Sequence, residues 1–302
     1  DVAMLVGYLA AISRKLPEPL AVLFCARSGA GKSNLQERIT DLVPPEDLVK
    51  HTRITEQALF YKDQNALVHK VLAIDEEEGA AVAAYALRNL QSAGYLSVSA
   101  TRTDPQTGKR SADDYKVNGP TAIFLTTAHP EALDYESRNR FVILTVNESR
   151  EQTKAILAWQ RWADTLPGVL ARRSREDVLR RHHNMQRLLD SIEVINPFAE
   201  GLQYPADRLI LRREQKKYLS LIKTIALLHQ HQRPRKTATT VGSGAARFEY
   251  IEVTRADIDL AVKLAQGILR RNLDELAPPS RSLLDDIRKL TAAKRKGGAG
   301  RV

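Results

Sequence analysis

The stretch Ala26-Arg27-Ser28-Gly29-Ala30-Gly31-Lys32-Ser33 decides the fold of this chain. It follows a short apolar run, 21–25, and precedes an amphipathic pattern, 34–43, so it is predicted to join a buried strand to a helix. Small residues allow successive backbone N–H groups to converge on phosphate oxygens, and the helix dipole adds attraction. A Lys-Ser pair at the helix start supplies a cation and a hydroxyl, which is the pattern of a phosphate-binding loop.

The predicted ligands of this loop are ATP and Mg²⁺. Lys32 is expected to reach the terminal phosphates and Ser33 to ligate the magnesium ion. Ala26 stands where the strict G-x-x-x-x-G-K-[ST] pattern has glycine, and alanine is tolerated there if its φ stays negative. The alternative, a glycine-rich turn that binds nothing, is disfavoured by the strand before it and the helix after it. The residues expected to contact the nucleotide are Ala26, Arg27, Ser28, Gly29, Ala30, Gly31, Lys32, Ser33 and Asn34.

A second element of a nucleotide site follows the apolar run 71–74, where Asp75 and Glu76 end a predicted strand. Asp75 is expected to hold magnesium through water, and Glu76 is expected to polarise the water that attacks the phosphate. The acidic run could instead be the solvated start of a helix, which the helix dipole would favour. The phosphate loop upstream makes the metal site the preferred interpretation.

Other short apolar runs alternate with amphipathic stretches of helical length. The strand-length runs are 21–25, 49–54, 71–74, 122–126 and 141–146. Because they are continuously apolar, they are typical of parallel strands that helices cover on both faces. An α/β domain with a mostly parallel sheet is therefore predicted over 20–148, after a lead-in helix over 1–19 that ends at two prolines.

Beyond residue 148 the pattern changes to amphipathic helices, and an all-helical region is predicted over 149–290. The helices are expected near 149–164, 170–190, 212–232 and 255–275. The segment 234–246 is rich in Pro, Lys, Thr and Gly without a period, so a mobile loop is expected there. The basic, glycine-rich residues 291–302 predict a disordered tail.

A β-hairpin is predicted over 94–118, between two of the core strands. Residues 94–101 and 114–117 alternate in polarity, and a turn-like segment separates them. Lys109 and Arg110 place positive charge at its tip, which suits contact with the phosphate backbone of DNA. A surface hairpin without a ligand is the alternative.

Polar residues also flank the last two core strands. Thr127 and His129 follow the run 122–126, where either side chain could orient a water beside the terminal phosphate. Arg138 and Arg140 precede the run 141–146, and an arginine there could reach the nucleotide of a neighbouring subunit and stabilise charge in the transition state. Solvated surface arginines are the alternative.

The composition sets outer limits on these interpretations. The chain has 302 residues, of which 43% are hydrophobic and 27% charged, as in folded globular proteins rather than disordered ones. The formal net charge of +10 favours a polyanionic partner. One cysteine excludes an intramolecular disulfide and a cysteine-rich zinc site, and no apolar run approaches the roughly 20 residues of a membrane span. A cytoplasmic protein is predicted, and the start at Asp1 suggests a piece of a longer chain.

Taken together, Gly31-Lys32-Ser33, Asp75-Glu76, the hairpin and Asn139-Arg140-Phe141 resemble an AAA+ ATPase. The placement of the hairpin is similar to the AAA+ clade with a pre-sensor-1 insertion, which includes the minichromosome-maintenance (MCM) helicases. The order Asn-Arg-Phe before an apolar strand resembles the arginine-finger segment of those helicases, which favours Arg140 over Arg138. The helix at 213–232 resembles the lid helix that carries a sensor-2 residue, with the candidates Arg213, Lys216 and Lys217.

The whole chain is most similar to the helicase region of bacterial plasmid and mobile-element proteins that join a zinc-finger and Toprim-type primase to a C-terminal helicase. The resemblance implies a hexameric ring that hydrolyses ATP, holds single-stranded or forked DNA and unwinds duplex DNA, with a primase domain upstream. It also implies that Lys32, Ser33, Asp75 and Glu76 of one subunit face Arg140 of the next. An AAA+ switch without unwinding activity, such as a loader, transposition regulator or defence protein, is the alternative. A metabolic P-loop kinase is a third alternative, which the hairpin and the paired arginines disfavour.

Overall fold

The computed structural model describes residues 2–75, 80–103, 110–130, 133–204, 208–240 and 246–272, together with Ile287 and Thr291. Within those ranges the strands are β1 (Ala21–Cys25), β2 (Leu48–His51), β3 (Lys70–Ile74), β4 (Tyr95–Thr103), β5 (Arg110–Asn118), β6 (Thr121–Thr127), β7 (Phe141–Thr145), β8 (Glu193–Ile195), β9 (Lys236–Thr239) and β10 (Arg247–Glu252). The helices are α1 (Val2–Ile12), α2 (Lys32–Thr40), α3 (Glu56–Phe60), α4 (Ala80–Ala93), α5 (Tyr135–Arg138), α6 (Arg150–Ala163), α7 (Leu166–Arg187), α8 (Leu211–Leu228) and α9 (Arg255–Asn272). None of the helices described is both long and apolar enough to cross a membrane.

The central sheet has five parallel strands in the order β2-β3-β6-β1-β7, which confirms the predicted α/β architecture. Cys25, the last residue of β1, lies opposite Thr127 of β6 and Thr145 of β7. Ala21, the first residue of β1, lies opposite Phe141 of β7. Because the strands are parallel, their C-terminal ends lie on one side of the sheet and their N-terminal ends on the other. We call the side with the C-terminal ends, at Cys25 and Thr127, the carboxyl edge. The side with the N-terminal ends, at Ala21 and Phe141, is the amino edge.

Apolar residues on both faces of the sheet explain why its strands are apolar without interruption. Val22 and Phe24 of β1 belong to one core with residues of α1, α2, α8 and α9, whereas Leu23 belongs to a second core with residues of α3 and α4. Leu96 of β4 and Val117 of β5 join this second core. Helices α8 and α9, from the distal part of the chain, therefore pack in the same core as the central sheet.

The predicted hairpin is an antiparallel pair of β4 and β5, with Tyr95 opposite Asn118 and Thr103 opposite Arg110. Its predicted tip, with Lys109, lies outside the described residues. Backbone hydrogen bonds tie its base, since Gly119 N–H donates to the Gly94 carbonyl at 2.7 Å. The pair therefore extends from the sheet as a distinct two-stranded unit.

The prediction that 149–290 is all helical is wrong, because β8, β10 and β9 form a three-stranded sheet there. β10 pairs in parallel with β8 and antiparallel with β9. Lys236–Thr239, predicted as part of a mobile loop, is the edge strand of that sheet. Its side chains are mostly exposed, so the sequence has no alternation of apolar and polar residues that would indicate a strand. The strand is stabilised by its backbone pairing and by the ion pair of Lys236 with Glu252 at 2.7 Å. The predicted tail at 291–302 lies outside the described residues, apart from Thr291.

A buried arginine joins the start of the chain to the end of α7. Arg14 is fully buried, and its guanidinium donates to the Ala11 carbonyl at 3.1 Å, to Gln186 Oε1 at 2.8 Å and to Asp47 Oδ2 at 2.9 Å. Burial by itself raises the pKa of Asp47, but the hydrogen bonds and charges of Arg14 and Lys70 outweigh it and hold the pKa below its usual value. The cluster fixes α7 against the body of the protein.

Substitution Arg14→Met is expected to lower the free energy of unfolding at pH 7 by about 3–5 kcal/mol, because it leaves Asp47 partly buried without its main partner. A carboxylate with a lowered pKa stabilises the fold above its unfolded value, near pH 4, and loses that contribution as the pH falls through the folded value. Urea unfolding should therefore show a smaller cost of Arg14→Met at pH 3 than at pH 7. Arg180→Met, at an exposed position, is the control and should change stability by less than about 0.5 kcal/mol. Equal costs at the two pH values would contradict this account of Asp47.

Candidate active site

The loop between β1 and α2 depends on two glycines in left-handed backbone conformation. Gly29 has φ +78° and Gly31 has φ +96°, values that residues with a Cβ rarely adopt. A Cβ added at either position would meet no atom within 4 Å, so the restriction is one of backbone conformation and the loop surface is open. Gly31 is also the N-cap of α2, where no side chain makes a capping hydrogen bond. A helix N-terminus with this form is suited to bind an anion.

Ser33 and Asp75 come together at the carboxyl edge. Ser33 Oγ donates to Asp75 Oδ1 at 2.9 Å, and Thr126 Oγ1 donates to the same oxygen at 2.8 Å. The backbone N–H of Asp75 donates to the His51 carbonyl at 3.0 Å, which holds Asp75 just beyond the end of β3. The hydroxyl at the helix start and the carboxylate at the strand end, which are 42 residues apart in sequence, are thus in direct contact.

These donors fit a magnesium ion. Mg²⁺ prefers oxygen ligands, keeps several waters, and is usually bound by one or two protein groups together with substrate phosphates. Ser33 and Asp75 supply a hydroxyl and a carboxylate beside the open loop. The part of the chain that the structure describes has no group of three or more His, Cys, Asp or Glu residues that could hold a metal by itself. The fit is therefore to a metal that a phosphate ligand helps to bind.

Lys32 and Arg27 lie at the two ends of the loop. Lys32 begins α2 and is only 5% exposed, so its side chain lies against the protein rather than in solvent. The Arg27 N–H donates to Glu148 Oε1 at 3.2 Å, which ties the loop to the segment after β7. Sequence reasoning did not identify Glu148, because its contact with the loop depends on the β1–β7 pairing.

The structure places Thr127 at the end of β6, on the carboxyl edge, and His129 two residues beyond it. Thr127 is buried, and its Oγ1 accepts from the His129 N–H at 3.0 Å, so the hydroxyl shapes the turn after β6. The residue that contacts Asp75 is Thr126, which sequence reasoning did not select. Strand alternation could have found it, because Thr126 shares its strand face with Ala122 and Phe124, which lie in the core that α2 joins.

Two predicted site residues lie outside the described part of the chain. Glu76 follows Asp75 directly and is not among the described residues, so its role as the residue that polarises water stays a prediction. The same holds for Lys109. Arg110 is the first residue of β5, and its role in DNA binding also stays a prediction.

Arg140 lies on the amino edge, on the opposite side of the sheet from the loop. It directly precedes β7, its guanidinium donates to Glu136 Oε1 at 2.8 Å, and it also hydrogen-bonds Ser92. β1 is five residues long, so its first and last Cα atoms are roughly 13 Å apart. This is farther than an arginine side chain extends, so Arg140 does not reach the loop of its own chain.

The three sensor-2 candidates also lie on the amino edge rather than beside the loop. Arg213 donates to the Glu136 carbonyl at 3.3 Å, and Lys216 lies 3.9 Å from Glu18. Lys217 is buried and donates to the Phe141 carbonyl at 2.8 Å and to Glu214 Oε1 at 2.6 Å. Burial lowers the pKa of Lys217, although Glu214 opposes that effect. Lys217 therefore ties α8 to the start of β7.

Basic residues surround a cavity of about 640 Å³ at the amino edge. Glu136 contacts two of them, Arg140 and Arg213, and the hydrogen bond from Arg140, followed by the charges of Arg140, Arg88 and Arg213, lowers the pKa of Glu136 despite some desolvation. The cavity combines a volume suited to a small ligand or side-chain cluster with strong positive charge. Its charged lining residues are Glu18, Arg140, Arg212, Arg213, Lys216 and Lys217.

Comparison of the chain with protein-family models gives no match, and comparison with curated proteins gives no match either. The candidate site therefore has two parts on opposite sides of the same sheet. An open loop with the Ser33–Asp75 pair of oxygen ligands lies at the carboxyl edge, and a group of cations lies at the amino edge.

Proposed function

We propose that the chain is a magnesium-dependent ATPase of the AAA+ type that works as a ring-forming DNA motor. The observation that carries the proposal is the hydrogen bond from Ser33 Oγ to Asp75 Oδ1, beside a loop held open by left-handed Gly29 and Gly31. A glycine-rich turn without a ligand does not require a contact between the serine at the helix start and a carboxylate at the strand end. A site for phosphate and magnesium does require these two side chains to be adjacent.

Each residue of this site has a distinct role in the proposal. The backbone N–H groups of the loop and the Lys32 ammonium bind the phosphates, and Ser33 and Asp75 hold the metal. When bound, a magnesium ion held there would supply positive charge that offsets the negative charge of the phosphates. Thr126 holds Asp75 in position through its hydroxyl. Glu76 is the proposed residue that orients the attacking water.

The position of Arg140 supports a site shared between subunits. Arg140 is too far from its own loop, yet it belongs to a group of cations that suits a triphosphate. If the amino edge of one subunit meets the carboxyl edge of the next, the two halves complete each other. Such a head-to-tail contact generates a ring when its rotation closes. Arg213 and Lys216 would then lie, with Arg140, close to the nucleotide of the neighbouring subunit.

The hairpin supports DNA as the polymer on which the motor acts. Lys116 lies over the ring of exposed Tyr95 at 5.0 Å, and Tyr61 meets Tyr115 edge-to-face at 4.6 Å between ring centroids. Aromatic rings beside cations are suited to single-stranded nucleic acid, because bases stack on the rings and cations attract the backbone. The net charge of +10 favours the same partner.

Substitution Lys109→Ala/Arg110→Ala is expected to weaken binding of single-stranded DNA at every sequence and to flatten its salt dependence, because phosphate contacts act independently of sequence. Basal ATP hydrolysis and assembly should stay near wild type. Titration of labelled oligonucleotides at several salt concentrations measures the effect. Arg180→Ala/Arg181→Ala removes the same charge from an exposed adjacent pair on α7 and serves as the control. Equal affinity and salt slope in the hairpin variant and wild type would place DNA elsewhere.

A DNA motor and an ATPase switch share the same nucleotide site, so the deciding experiment is strand displacement. The proposal predicts release of a labelled strand from a forked duplex when ATP and magnesium are present, and none in the Lys32→Ala variant. DNA-stimulated hydrolysis without strand release would favour the switch.

A further inference from the structure

Helices α6 and α7 are consecutive, contact each other and both carry exposed apolar side chains. Trp159 is 48% exposed, Trp162 43% and Leu166 71%. Ile156, also exposed, lies three residues before Trp159 on the same side of α6, and exposed Leu170 lies four residues after Leu166 on the same side of α7. We call Ile156, Trp159, Trp162, Leu166 and Leu170 the apolar ridge. Neither tryptophan of the chain lies outside it.

The apolar ridge is large enough to form the centre of a stable interface. Aromatic side chains at these exposures contribute roughly 100 Å² each, so the five residues expose several hundred Å². The largest apolar patch of a typical monomer is about 300–600 Å² and is often functional. A standard interface buries about 800 Å² per partner, a little over half of it apolar. The ridge can thus supply most of the apolar part of one side.

Helix α7 is attached to the body of the protein. Arg175 forms an ion pair with Asp41 at 2.6 Å, and Arg187 forms one with Glu46 at 2.6 Å. Gln186 Nε2 donates to the Leu42 carbonyl at 2.8 Å. These contacts fix the second half of α7 against the body of the protein, next to the two helices that carry the ridge.

The ridge continues directly from the candidate active site. The Arg38 guanidinium lies over the Trp159 ring at 5.4 Å, and Arg38 Nε donates to Asn34 Oδ1 at 2.8 Å in the first turn of α2. The segment before α6 contacts the phosphate loop through Glu148 and Arg27. Trp159 of the ridge therefore lies close to the start of α2, where a partner that contacts the phosphate loop would also bind.

We infer that the apolar ridge is the docking surface for a second copy of this chain, the copy that presents Arg140 to the phosphate loop. The inference rests on the proposed function, because that function brings an amino edge to this carboxyl edge. Two exposed apolar side chains lie close in sequence to the cations of the amino edge and are available for such a contact: Tyr135, five residues before Arg140, and Leu209, four residues before Arg213. The contact is head-to-tail, with different surfaces on the two copies.

The charges of α6 favour a protein partner over nucleic acid at the ridge. At 100° per residue, Arg150, Lys154 and Arg161 project from the side of α6 opposite to Trp159. A surface that stacks bases has cations beside its aromatic rings to follow the phosphate backbone. On α6 itself the aromatic and cationic residues are separated, as in a helix that buries one face against protein, and the cation over Trp159 is Arg38 of α2, which Asn34 engages.

Both tryptophans lie in the ridge, so intrinsic fluorescence of the full chain reports directly on its environment. Sedimentation velocity and tryptophan emission are measured together, with and without magnesium and a slowly hydrolysed ATP analogue. The expected result is assembly accompanied by a shift of emission to shorter wavelength. Leu166→Asp keeps both tryptophans and places an acid in the first turn of α7, where the helix dipole favours it. It should raise the concentration needed for assembly roughly tenfold to a hundredfold.

Two further variants make the test specific. Ile156→Asp disrupts the ridge from the other helix and should weaken assembly similarly, while Val178→Asp, an exposed apolar position 12 residues beyond Leu166 on α7, should assemble like wild type. Binding of a fluorescent ATP analogue to each variant should stay unchanged. Assembled, ATP-hydrolysing protein with unchanged emission and normal assembly of Leu166→Asp would overturn the inference and leave the ATPase proposal intact. Failure to assemble with nucleotide bound, or an emission change that an oligonucleotide causes in unassembled protein, would also overturn it.

Discussion

Lys32→Ala is expected to weaken binding of magnesium ATP by roughly a hundredfold or more and to abolish hydrolysis. Lys32 is the first residue of α2 and is buried beside Gly31 of the loop, and the proposed function assigns its ammonium to the terminal phosphates. Each charge-assisted hydrogen bond to a phosphate contributes about 1.5–3 kcal/mol, and Lys32 can make more than one. Calorimetric titration with ATP in the presence of magnesium measures the change in affinity.

Lys50→Ala is the matched control for this variant. Lys50 lies in β2 of the same sheet and is ion-paired with Glu37 of α2 at 3.6 Å, but it is not part of the loop. The two substitutions remove the same atoms and the same charge. Wild-type affinity in Lys32→Ala, or an equal loss in Lys50→Ala, would mean that the loop between β1 and α2 is not where the phosphates bind.

Arg140→Ala is expected to slow ATP hydrolysis by roughly 10³- to 10⁵-fold, which is the usual contribution of an arginine finger to turnover. Binding of ATP should change little, because Arg140 lies on the amino edge and its own chain's loop lies on the carboxyl edge. Steady-state hydrolysis and equilibrium binding, measured on the same preparation, separate the two effects. Thermal unfolding checks that loss of the Arg140–Glu136 ion pair leaves the fold intact.

Arg138→Ala is the control for Arg140→Ala, since the two arginines are two residues apart. The Arg138 guanidinium lies over the Tyr135 ring at 5.9 Å, whereas Arg140 lines the basic cavity at the amino edge. The account predicts near-normal hydrolysis in Arg138→Ala. If Arg138→Ala loses hydrolysis and Arg140→Ala retains it, the finger has been assigned to the wrong arginine.

The central sheet was predictable because strands that are buried on both faces are continuously apolar, and such runs can be recognised within a few residues of sequence. Val22 and Phe24 face one core and Leu23 the other, so the run is apolar at every position. The loop was predictable for a similar reason, because Gly29 and Gly31 are needed at fixed offsets from Lys32. Strand β9 was not predictable, because an exposed edge strand is held by its partner's backbone rather than by apolar periodicity.

The site residues that sequence reasoning missed depend on contacts between distant segments. Thr126 was passed over in favour of Thr127 because the choice between adjacent residues depends on which sheet face α2 covers. The position of Arg213 and Lys216 at the amino edge depends on how α8 packs across the sheet. Nothing in the amphipathic pattern of α8 specifies that packing, and the exposure of the tryptophans in α6 is equally invisible in the sequence.

The most direct test of a shared nucleotide site is to mix Lys32→Ala subunits with Arg140→Ala subunits. Each variant alone is inactive, but an Arg140→Ala subunit still has an intact loop and a Lys32→Ala subunit still has its arginine. Mixed assemblies therefore contain complete sites wherever the intact loop faces the intact arginine. The account predicts that hydrolysis reappears on mixing and is greatest near equal proportions of the two variants. Mixed assemblies that form, as sedimentation shows, and yet hydrolyse no ATP at any ratio would contradict it.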